Sequence, residues 1–399
     1  MGKELRVCVV SPLYHPHLGG VGRQAVALTG QLHRAGVQVF VLCRNIHGLP
    51  EWKSAEGIPI RALRTLGSHR HDLEEKTLLN FLISFSFCLR LLGALIRSRR
   101  EYDIVHFHGA SLPLICTVIP LRLMRKKVIA KVAGAKMKIE AGSFRGTYVF
   151  IGDIFISILK RVDAFVAISR EIQEDLIRDG FASKAIHAIP NFIMPDQFFP
   201  LADPAEKGRL RRELGIREDS LVLTFSGRLV RRKRVDVLLR AVADVVRLHP
   251  DVRVIILGHG EMKEDLEGLA DELGIRKNCM FRSFVTNILD YLQTTDIFVF
   301  PSEKEGMPNA VLEAMACGLP VIASRIGGVV DVVRDRSNGL LVEPGDPEVL
   351  REAILELCEK QELRASLAEA ACATVRDNFS VETVVRRYIE LYRNVCHED

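Results

Sequence analysis

The sequence predicts an α/β protein of two doubly wound domains, each with a parallel sheet between layers of helices. Short apolar runs alternate with helical stretches along the whole chain, which is typical of buried parallel strands. The 399 residues exceed what one hydrophobic core usually supports. Residues 191–204 contain three prolines and no periodicity, as expected of a linker. We place the first domain at 1–195, the second at 196–378 and a terminal helix at 379–399.

The first domain is predicted to contain five strands, at 5–10, 37–42, 103–109, 128–133 and 162–169. A helix ending near Ala35 joins the first two strands, and Gly19 and Gly20 lie before it. Glycine permits close approach of a ligand to the backbone, and open parallel sheets bind ligands at the carboxyl ends of their strands. The glycine pair is therefore either a ligand contact or a tight turn.

The second domain is predicted to contain five more strands, at 221–226, 252–257, 279–284, 297–300 and 320–323. Right-handed crossovers through the intervening helices would bring all their carboxyl ends to one edge of the sheet. An amphipathic helix at 383–396 follows this pattern. We expect ligands to bind at the shared edge.

Charge is distributed unevenly over the two halves of the chain. Residues 1–190 hold 27 Lys and Arg against 15 Asp and Glu, whereas the remainder holds 28 against 35. A basic first domain favours anionic partners, such as a phospholipid surface or a phosphate-bearing acceptor. Nucleic acid is not expected as a partner, because the sequence has no recognition-helix pattern, zinc finger or RNP-like aromatic motif.

The nine cysteines stand singly, several of them within apolar runs, and show no Cys-x-x-Cys spacing. This pattern indicates free thiols in a reducing compartment. The first residues lead directly into a strand and show neither the longer apolar segment nor the cleavage site of a signal peptide. A cytoplasmic location is therefore expected.

One long apolar stretch, 79–96, is interrupted by four polar residues. A membrane span needs about 20 uninterrupted apolar residues, so we predict a helix that is either amphipathic or buried. Basic residues follow it at 97–100, and a second basic cluster lies at 122–127. With a further apolar segment at 144–159, they predict peripheral docking on the anionic inner face of the membrane. A plain core helix is the alternative.

The most informative stretch of the second domain, 301–320, follows a buried strand. Pro308 suits the first turn of a helix because its missing N–H would have no partner there, and Gly318 supplies a stop signal. The free amides of such a turn attract phosphate, and carboxylates accept hydrogen bonds from sugar hydroxyls. Glu305 before the helix and Glu313 within it would therefore suit a nucleotide sugar. The alternative is a solvated loop acid and a surface helix residue.

Basic residues follow the first strand of the second domain, in the segment 226–234. Arg228 can bind two phosphate oxygens at once and Lys233 adds a point charge, so the pair suits a diphosphate. A solvated, charged helix face is the alternative interpretation.

Two histidines of the first domain, His106 and His108, alternate along one strand and therefore share one face. They form either a metal pair, for which the sequence offers no evident third ligand, or one core and one loop histidine.

The segment from Glu305 to Val321 resembles the Glu-x7-Glu signature of the family 4 retaining glycosyltransferases. That family has the GT-B fold, in which two Rossmann-like, doubly wound domains face each other across a cleft. The resemblance extends to the segments 106–108, 227–234 and 258–260. It implies that Glu305 contacts the donor sugar and that Glu313 contacts the nucleotide ribose.

The resemblance implies further roles. Arg228 and Lys233 would bind the donor diphosphate, and His108 would lie near the reacting sugar. The other implied donor-binding residues are Gly19, Gly20, Gly258, Gly306, Met307, Pro308 and Asn309. The sequence departs from the family pattern at Arg234, where glycine is usual, and at Ala133, where histidine often stands.

Transfer with retention of the anomeric configuration, without metal or cofactor and with a nucleoside diphosphate sugar as co-substrate, is also implied. The sequence holds no Asp-x-Asp pair, the usual manganese ligands of the other main transferase fold. The basic first domain suggests a lipid-linked or surface-glycan acceptor in cell-envelope polysaccharide biosynthesis. The alternatives are a sugar-nucleotide 2-epimerase of the same architecture and a non-catalytic sugar-nucleotide binder. A dinucleotide oxidoreductase is not favoured, because the glycines at 19–22 do not match Gly-x-Gly-x-x-Gly.

Overall fold

The computed structural model of the chain describes residues 4–14, 20–46, 52–55, 57–66, 78–133, 149–283, 285 and 287–397. The chain forms two compact units. Unit 1 consists of Met1–Asn191 and Glu382–Asp399, and unit 2 of Phe192–Val381. The division falls at the start of the proline-containing segment, and the last helix belongs to unit 1.

Unit 1 is built on a parallel sheet with one antiparallel edge strand. Its strands are β1 (Arg6–Val10), β2 (Gln38–Asn45), β3 (Trp52–Ala55), β4 (Ile58–Arg64), β5 (Ile104–His108), β6 (Lys127–Val132), β7 (Ala164–Ala167) and β8 (Ile186–Ala188). They pair in the order β3-β4-β2-β1-β5-β6-β7-β8, and only β3 runs antiparallel to its neighbour among these described strands. The helices between them are α1 (Gly20–Arg34), α2 (Leu78–Arg97), α3 (Leu112–Leu123), α4 (Val149–Leu159) and α5 (Arg170–Arg178).

Unit 2 is built on a sheet of six parallel strands in its described residues. The strands are β9 (Val222–Ser226), β10 (Arg253–Leu257), β11 (Cys279–Arg282), β12 (Ile297–Phe300), β13 (Val321–Ser324) and β14 (Leu340–Val342). Their order is β11-β10-β9-β12-β13-β14. The helices are α6 (Pro204–Glu213), α7 (Val235–Leu248), α8 (Lys263–Glu272), α9 (Ile288–Thr294), α10 (Asn309–Ala316), α11 (Gly327–Val330), α12 (Pro347–Glu359) and α13 (Gln361–Asn378), and α14 (Val381–His397) then returns to unit 1.

The ten predicted strands are all present, with ends that differ by a few residues. Their apolar runs are buried on both faces, as helices on either side of a parallel sheet require. Four strands, β3, β4, β8 and β14, are not predicted. β4 contains Pro59 and two arginines and alternates between buried and exposed residues at its start, whereas β8 and β14 have only three residues each. Ser169, predicted at a strand tip, instead accepts a hydrogen bond from Ile172 N as the N-cap of α5.

The apolar helix α2 is long and apolar enough to cross a membrane by length and composition, the only such helix in the described part of the chain. One of its sides belongs to the core of unit 1, since Ile83, Leu91 and Ala94 are fully buried. The other side carries exposed apolar residues, which are Leu79, Phe81, Leu82, Phe85, Leu89 and Ile96. Surface helices of globular proteins normally carry polar residues on that side.

Candidate active site

Two glycine-containing turns meet at the carboxyl edge of the unit 2 sheet. Gly227, after β9, donates its N–H to Leu257 O at 2.9 Å. A Cβ on Gly258 would lie well inside van der Waals contact with the carbonyl oxygen of Gly227, and one on Gly260 would do the same with Leu229. Close backbone approach therefore requires glycine at 258 and 260, and it holds the basic turn that follows β9 in place.

Lys233 ends a short 3-10 turn (Arg231–Lys233) and is only 8% exposed. Its Nζ lies 2.7 Å from Glu305 Oε1 and 4.7 Å from the centre of the Phe300 ring. Burial lowers the pKa of Lys233, and this effect is opposed by the Glu305 carboxylate and reinforced by Arg232 and Arg228. The solvated-face interpretation is therefore wrong for Lys233. The neighbouring Arg228 is exposed.

Glu305 lies in the loop between β12 and α10, as predicted, and its side chain is 11% exposed. Three groups converge on its Oε1: Lys233 Nζ at 2.7 Å, Ser302 Oγ at 2.8 Å and Arg232 Nη1 at 3.0 Å. Its other oxygen, Oε2, makes no hydrogen bond with the described residues. Glu305 is thus an ion-paired, partly buried acid, and the interpretation as a solvated loop acid is wrong.

The helix after this loop, α10, begins at Asn309, with Pro308 as the preceding cap residue in extended conformation. The predicted helix is confirmed, but Pro308 stands one position before its first turn. The chain leaves the helix through Gly318, which adopts φ +70°, a conformation that favours glycine. Glu313 is 4% exposed, so it is a buried helix residue and the surface interpretation is wrong.

The loop at Gly306 is held from behind by the short helix α11. A Cβ on Gly328 would overlap the carbonyl oxygen of Gly306 and crowd Met307 Cα, so only glycine fits there. Gly328 N also donates to Glu305 O at 3.4 Å. Gly306, Met307 and Pro308 are buried. The backbone at Glu305 and Gly306 is therefore held in place by its contacts with α11.

In unit 1, His106 and His108 share one face as predicted, with ring centres 4.7 Å apart. Both are buried, so the interpretation as one core and one loop histidine is wrong. Burial lowers the pKa of His106 to about 3 and that of His108 well below its usual value. His106 Nδ1 lies 2.7 Å from the hydroxyl of Tyr392 on α14. The described residues contain no cluster of three or more His, Cys, Asp or Glu suited to a metal ion.

Lys131 on β6 pairs in register with His108 and is 2% exposed. Its Nζ lies 5.8 Å from the centre of the Tyr388 ring and has no hydrogen-bond partner in the described structure. Burial lowers the pKa of Lys131 to about 7. The sequence interpretation did not single out this residue, although a lone lysine inside an apolar strand was a visible signal.

Only one residue of the predicted glycine pair is described by the structure. Gly20 is the first residue of α1 and is exposed, and Gly19 lies outside the described residues. Unit 2 therefore brings together Arg228, Lys233, Glu305, Gly258 and the segment 306–309 at one sheet edge, together with two residues that the sequence interpretation missed, Arg232 and Ser302. Gly20 and His108 belong to unit 1.

Two family models match the two halves of the chain. Residues 206–373 match the glycosyl transferases group 1, and residues 18–197 match glycosyltransferase family 4. The chain belongs to the group 1, family 4 glycosyltransferases. This glycosyltransferase has the GT-B fold, as the residues from Glu305 to Val321 had indicated.

Relatives support the assignment along the full length. An uncharacterized glycosyltransferase of Methanocaldococcus jannaschii is 26% identical over 404 aligned positions, and the match covers 98% of each chain. The N-acetyl-alpha-D-glucosaminyl L-malate synthase of Bacillus anthracis is 24% identical and covers 96% of each chain. A GDP-mannose-dependent phosphatidylinositol monomannoside mannosyltransferase of Corynebacterium glutamicum is 30% identical over 213 residues, 52% of this chain and 55% of its own.

Solved structures share the fold of this glycosyltransferase. Sucrose-phosphate synthase from Thermosynechococcus elongatus has a TM-score of 0.83 at 21% identity, covering 99% of this chain and all of its own. HepE of Anabaena, solved with UDP-glucose, has a TM-score of 0.77 at 19% identity, covering 98% of this chain and all of its own.

Proposed function

We propose that this glycosyltransferase moves a sugar from a nucleoside diphosphate sugar to an acceptor hydroxyl with retention of anomeric configuration. The observation that carries the proposal is the arrangement around Glu305. This residue lies in the loop before the N-terminus of α10, and its carboxylate is 2.7 Å from Nζ of the buried Lys233. Cationic groups and helix amides suit a diphosphate, and carboxylates suit sugar hydroxyls. The structure of Anabaena HepE with UDP-glucose supports a nucleotide-sugar donor.

In the proposed reaction, negative charge develops on the diphosphate as its bond to the anomeric carbon breaks. Arg228, Lys233 and the first-turn amides of α10 stabilise that charge, which is the role that a metal ion would otherwise take. The acceptor hydroxyl attacks from the face that the diphosphate leaves, and its proton passes to the departing oxygen. Glu305 and Glu313 bind donor hydroxyls, and Gly258 contacts the base. No metal or cofactor is needed.

The acceptor in this proposal is a lipid-linked or surface glycan, and the reaction belongs to cell-envelope polysaccharide biosynthesis. The exposed apolar side of α2 supports this, because it is followed by exposed arginines at 97, 99 and 100 and lies in the more basic half of the chain. Apolar side chains beside arginines match the interface of an anionic membrane. The name of the Corynebacterium glutamicum relative, which acts on a phosphatidylinositol monomannoside, fits such an acceptor. The protein would work in the cytoplasm, on the inner face of the membrane.

The donor assignment is tested by following UDP, GDP or ADP release from a panel of nucleotide sugars with EDTA present. We expect slow hydrolysis of one donor by the wild type and none by Glu305→Ala. If the nucleotide is released without sugar transfer to any acceptor, and the donor is recovered as an isomer, the protein would instead be a sugar-nucleotide 2-epimerase. Binding without turnover of any donor or acceptor would indicate a non-catalytic binder.

The membrane assignment is tested by co-sedimentation with vesicles of phosphatidylcholine, with and without phosphatidylglycerol. We expect binding that requires the anionic lipid and is lost in Phe85→Glu. Leu248→Glu is the matched control, because Leu248 is 64% exposed on α7 of unit 2. Equal binding to both kinds of vesicle, or equal loss in both variants, would contradict the assignment.

A further inference from the structure

Arg232 joins the basic turn after β9 to the loop after β12 through several hydrogen bonds. Its carbonyl oxygen accepts a hydrogen bond from Glu303 N at 2.9 Å and lies 3.1 Å from Ser302 Oγ. Its Nη1 donates to Lys304 O at 3.2 Å and to Glu305 Oε1 at 3.0 Å. Both the backbone and the side chain of Arg232 therefore bind the loop that carries Glu305.

The three donors on Glu305 all meet the same oxygen. The last torsion of a glutamate side chain is broad and roughly two-fold, so a free carboxylate can turn. Donors from Lys233, Arg232 and Ser302 on Oε1 remove that freedom and set the direction of Oε2, which makes no hydrogen bond with the described residues. Ser302 is fully buried, and its one proton has two acceptors within reach, Glu305 Oε1 at 2.8 Å and Arg232 O at 3.1 Å. The shorter contact and the charge of the carboxylate favour Glu305.

The other arginines of the turn have different partners. Arg234 adopts φ 49° and pairs with Asp236 at 3.1 Å and with Glu303. Arg231 is exposed, and the structure records no hydrogen bond or ion pair for its side chain among the described residues. Thus Arg231 and Arg232 contribute the same charge from adjacent positions, but only Arg232 contacts Glu305.

We propose that Arg232, together with Ser302, is a positioning residue that turns Oε2 of Glu305 toward a hydroxyl of the donor sugar. The inference rests on the proposed function, since it assigns a supporting role within the donor site. Arg232 adds sugar recognition rather than nucleotide affinity. Arg232 acts through Glu305 and does not itself touch the sugar.

The test compares binding of a nucleotide with binding of its sugar ester by calorimetry, using UDP and UDP-glucose, GDP and GDP-mannose, and ADP and ADP-glucose. The pair that the wild type binds most tightly is then measured in four variants, Arg232→Met, Arg232→Lys, Ser302→Ala and Arg231→Met. We expect Arg232→Met and Ser302→Ala each to weaken binding of the sugar ester by about tenfold. A factor of this size corresponds to the loss of one hydrogen bond to a charged group. Binding of the free nucleotide should match that of Arg231→Met.

Each variant separates a different explanation. Arg231→Met removes a charge without a contact, Ser302→Ala removes a contact without a charge, and Arg232→Lys keeps the charge but loses the planar group that bridges Lys304 O and Glu305. A thermal melt of each variant checks that it is folded. Equal weakening of nucleotide and sugar ester in Arg232→Met would overturn the inference in favour of a phosphate contact.

If Arg232→Met binds the sugar ester as tightly as the wild type does, or if Ser302→Ala does, the inference is overturned and the proposed function stays intact. If the wild type binds none of the six compounds, the proposed function fails, and the inference fails with it.

Discussion

Lys131 provides the sharpest test of the physical reasoning, because this lysine is buried and has no carboxylate partner in the part of the chain that the structure describes. It faces His106 and His108 on β5 and Tyr388 and Tyr392 on α14, all of them buried. A pKa lowered from 10.5 to about 7 corresponds to about 5 kcal/mol between the folded and unfolded chain.

The sign follows from proton binding. Between pH 7 and 10.5 the unfolded chain holds a proton on Lys131 that the folded chain has lost, so the free energy of unfolding rises with pH. In this window both histidines are neutral in the folded and unfolded chain. Burial raises the pKa values of Tyr388 and Tyr392, so these tyrosines oppose the rise near pH 10 and above, where the unfolded chain loses their protons. Six thiols with raised pKa values oppose it from about pH 8, where thiols of the unfolded chain begin to lose their protons; they are Cys8, Cys43, Cys88, Cys279, Cys317 and Cys358. The contribution of Lys131 is therefore the difference between the wild type and a variant that lacks this lysine.

We expect Lys131→Met to unfold at a higher urea concentration than the wild type at pH 7, with a free energy of unfolding higher by up to about 4 kcal/mol. It should lack the rise that Lys131 contributes between pH 7 and 9.5, so that its advantage over the wild type shrinks to about 1 kcal/mol at pH 9.5. Lys127→Met, on the same strand but only half-buried, is the control and should keep that rise. The measurement is urea unfolding at several pH values. An unchanged pH dependence in Lys131→Met, or a less stable protein at pH 7, would refute the reasoning.

Two further changes test the packing of unit 2. Gly328→Ala places a methyl group against Gly306 O and should displace the Glu305 loop, so we expect calorimetry to detect little binding of a nucleotide sugar. Gly268→Ala on α8 is the control, because nothing lies within 4 Å of the added atom. This variant should bind the nucleotide sugar normally and be slightly more stable than the wild type. Normal binding by Gly328→Ala would contradict the close approach. Arg211→Met removes a side chain that is 7% exposed and donates to Thr294 O, Ser220 O and Asp296, and it should lower the free energy of unfolding by about 3 to 5 kcal/mol. Arg209→Met, an exposed pair, should change it by less than about 1 kcal/mol in the same urea experiment, and equal losses in the two variants would count against the burial argument.

Local patterns were sufficient for most of the sheet architecture. Buried parallel strands form continuous apolar runs, so β9, β10 and β12 could be identified without any knowledge of their neighbours. β4 could not be identified in this way, because Pro59 and two arginines interrupt the apolar pattern of this strand near the sheet edge. Three-residue strands such as β14 are too short to show any period.

The candidate site was only partly predictable for a different reason. Glu305 and Lys233 were recognised separately by residue type and motif, but their ion pair joins residues 72 positions apart. Ser302 lies only three positions before Glu305, but the residue type alone does not indicate that its hydroxyl contacts the Glu305 carboxylate. Lys131 is visible as a lysine in an apolar strand, but Tyr388 and Tyr392 lie more than 250 residues away. Contacts that depend on tertiary folding leave no local pattern.

The return of α14 to unit 1 has a consequence for the order in which the protein is made. Unit 2 is one continuous segment and can fold as soon as it leaves the ribosome, whereas unit 1 lacks α14 until the residues that follow unit 2 have been translated. Tyr392, whose hydroxyl contacts His106, is translated 286 residues after it. During that interval the polar face of β5 and β6 is uncovered, so the first unit to be synthesised is the last to be completed.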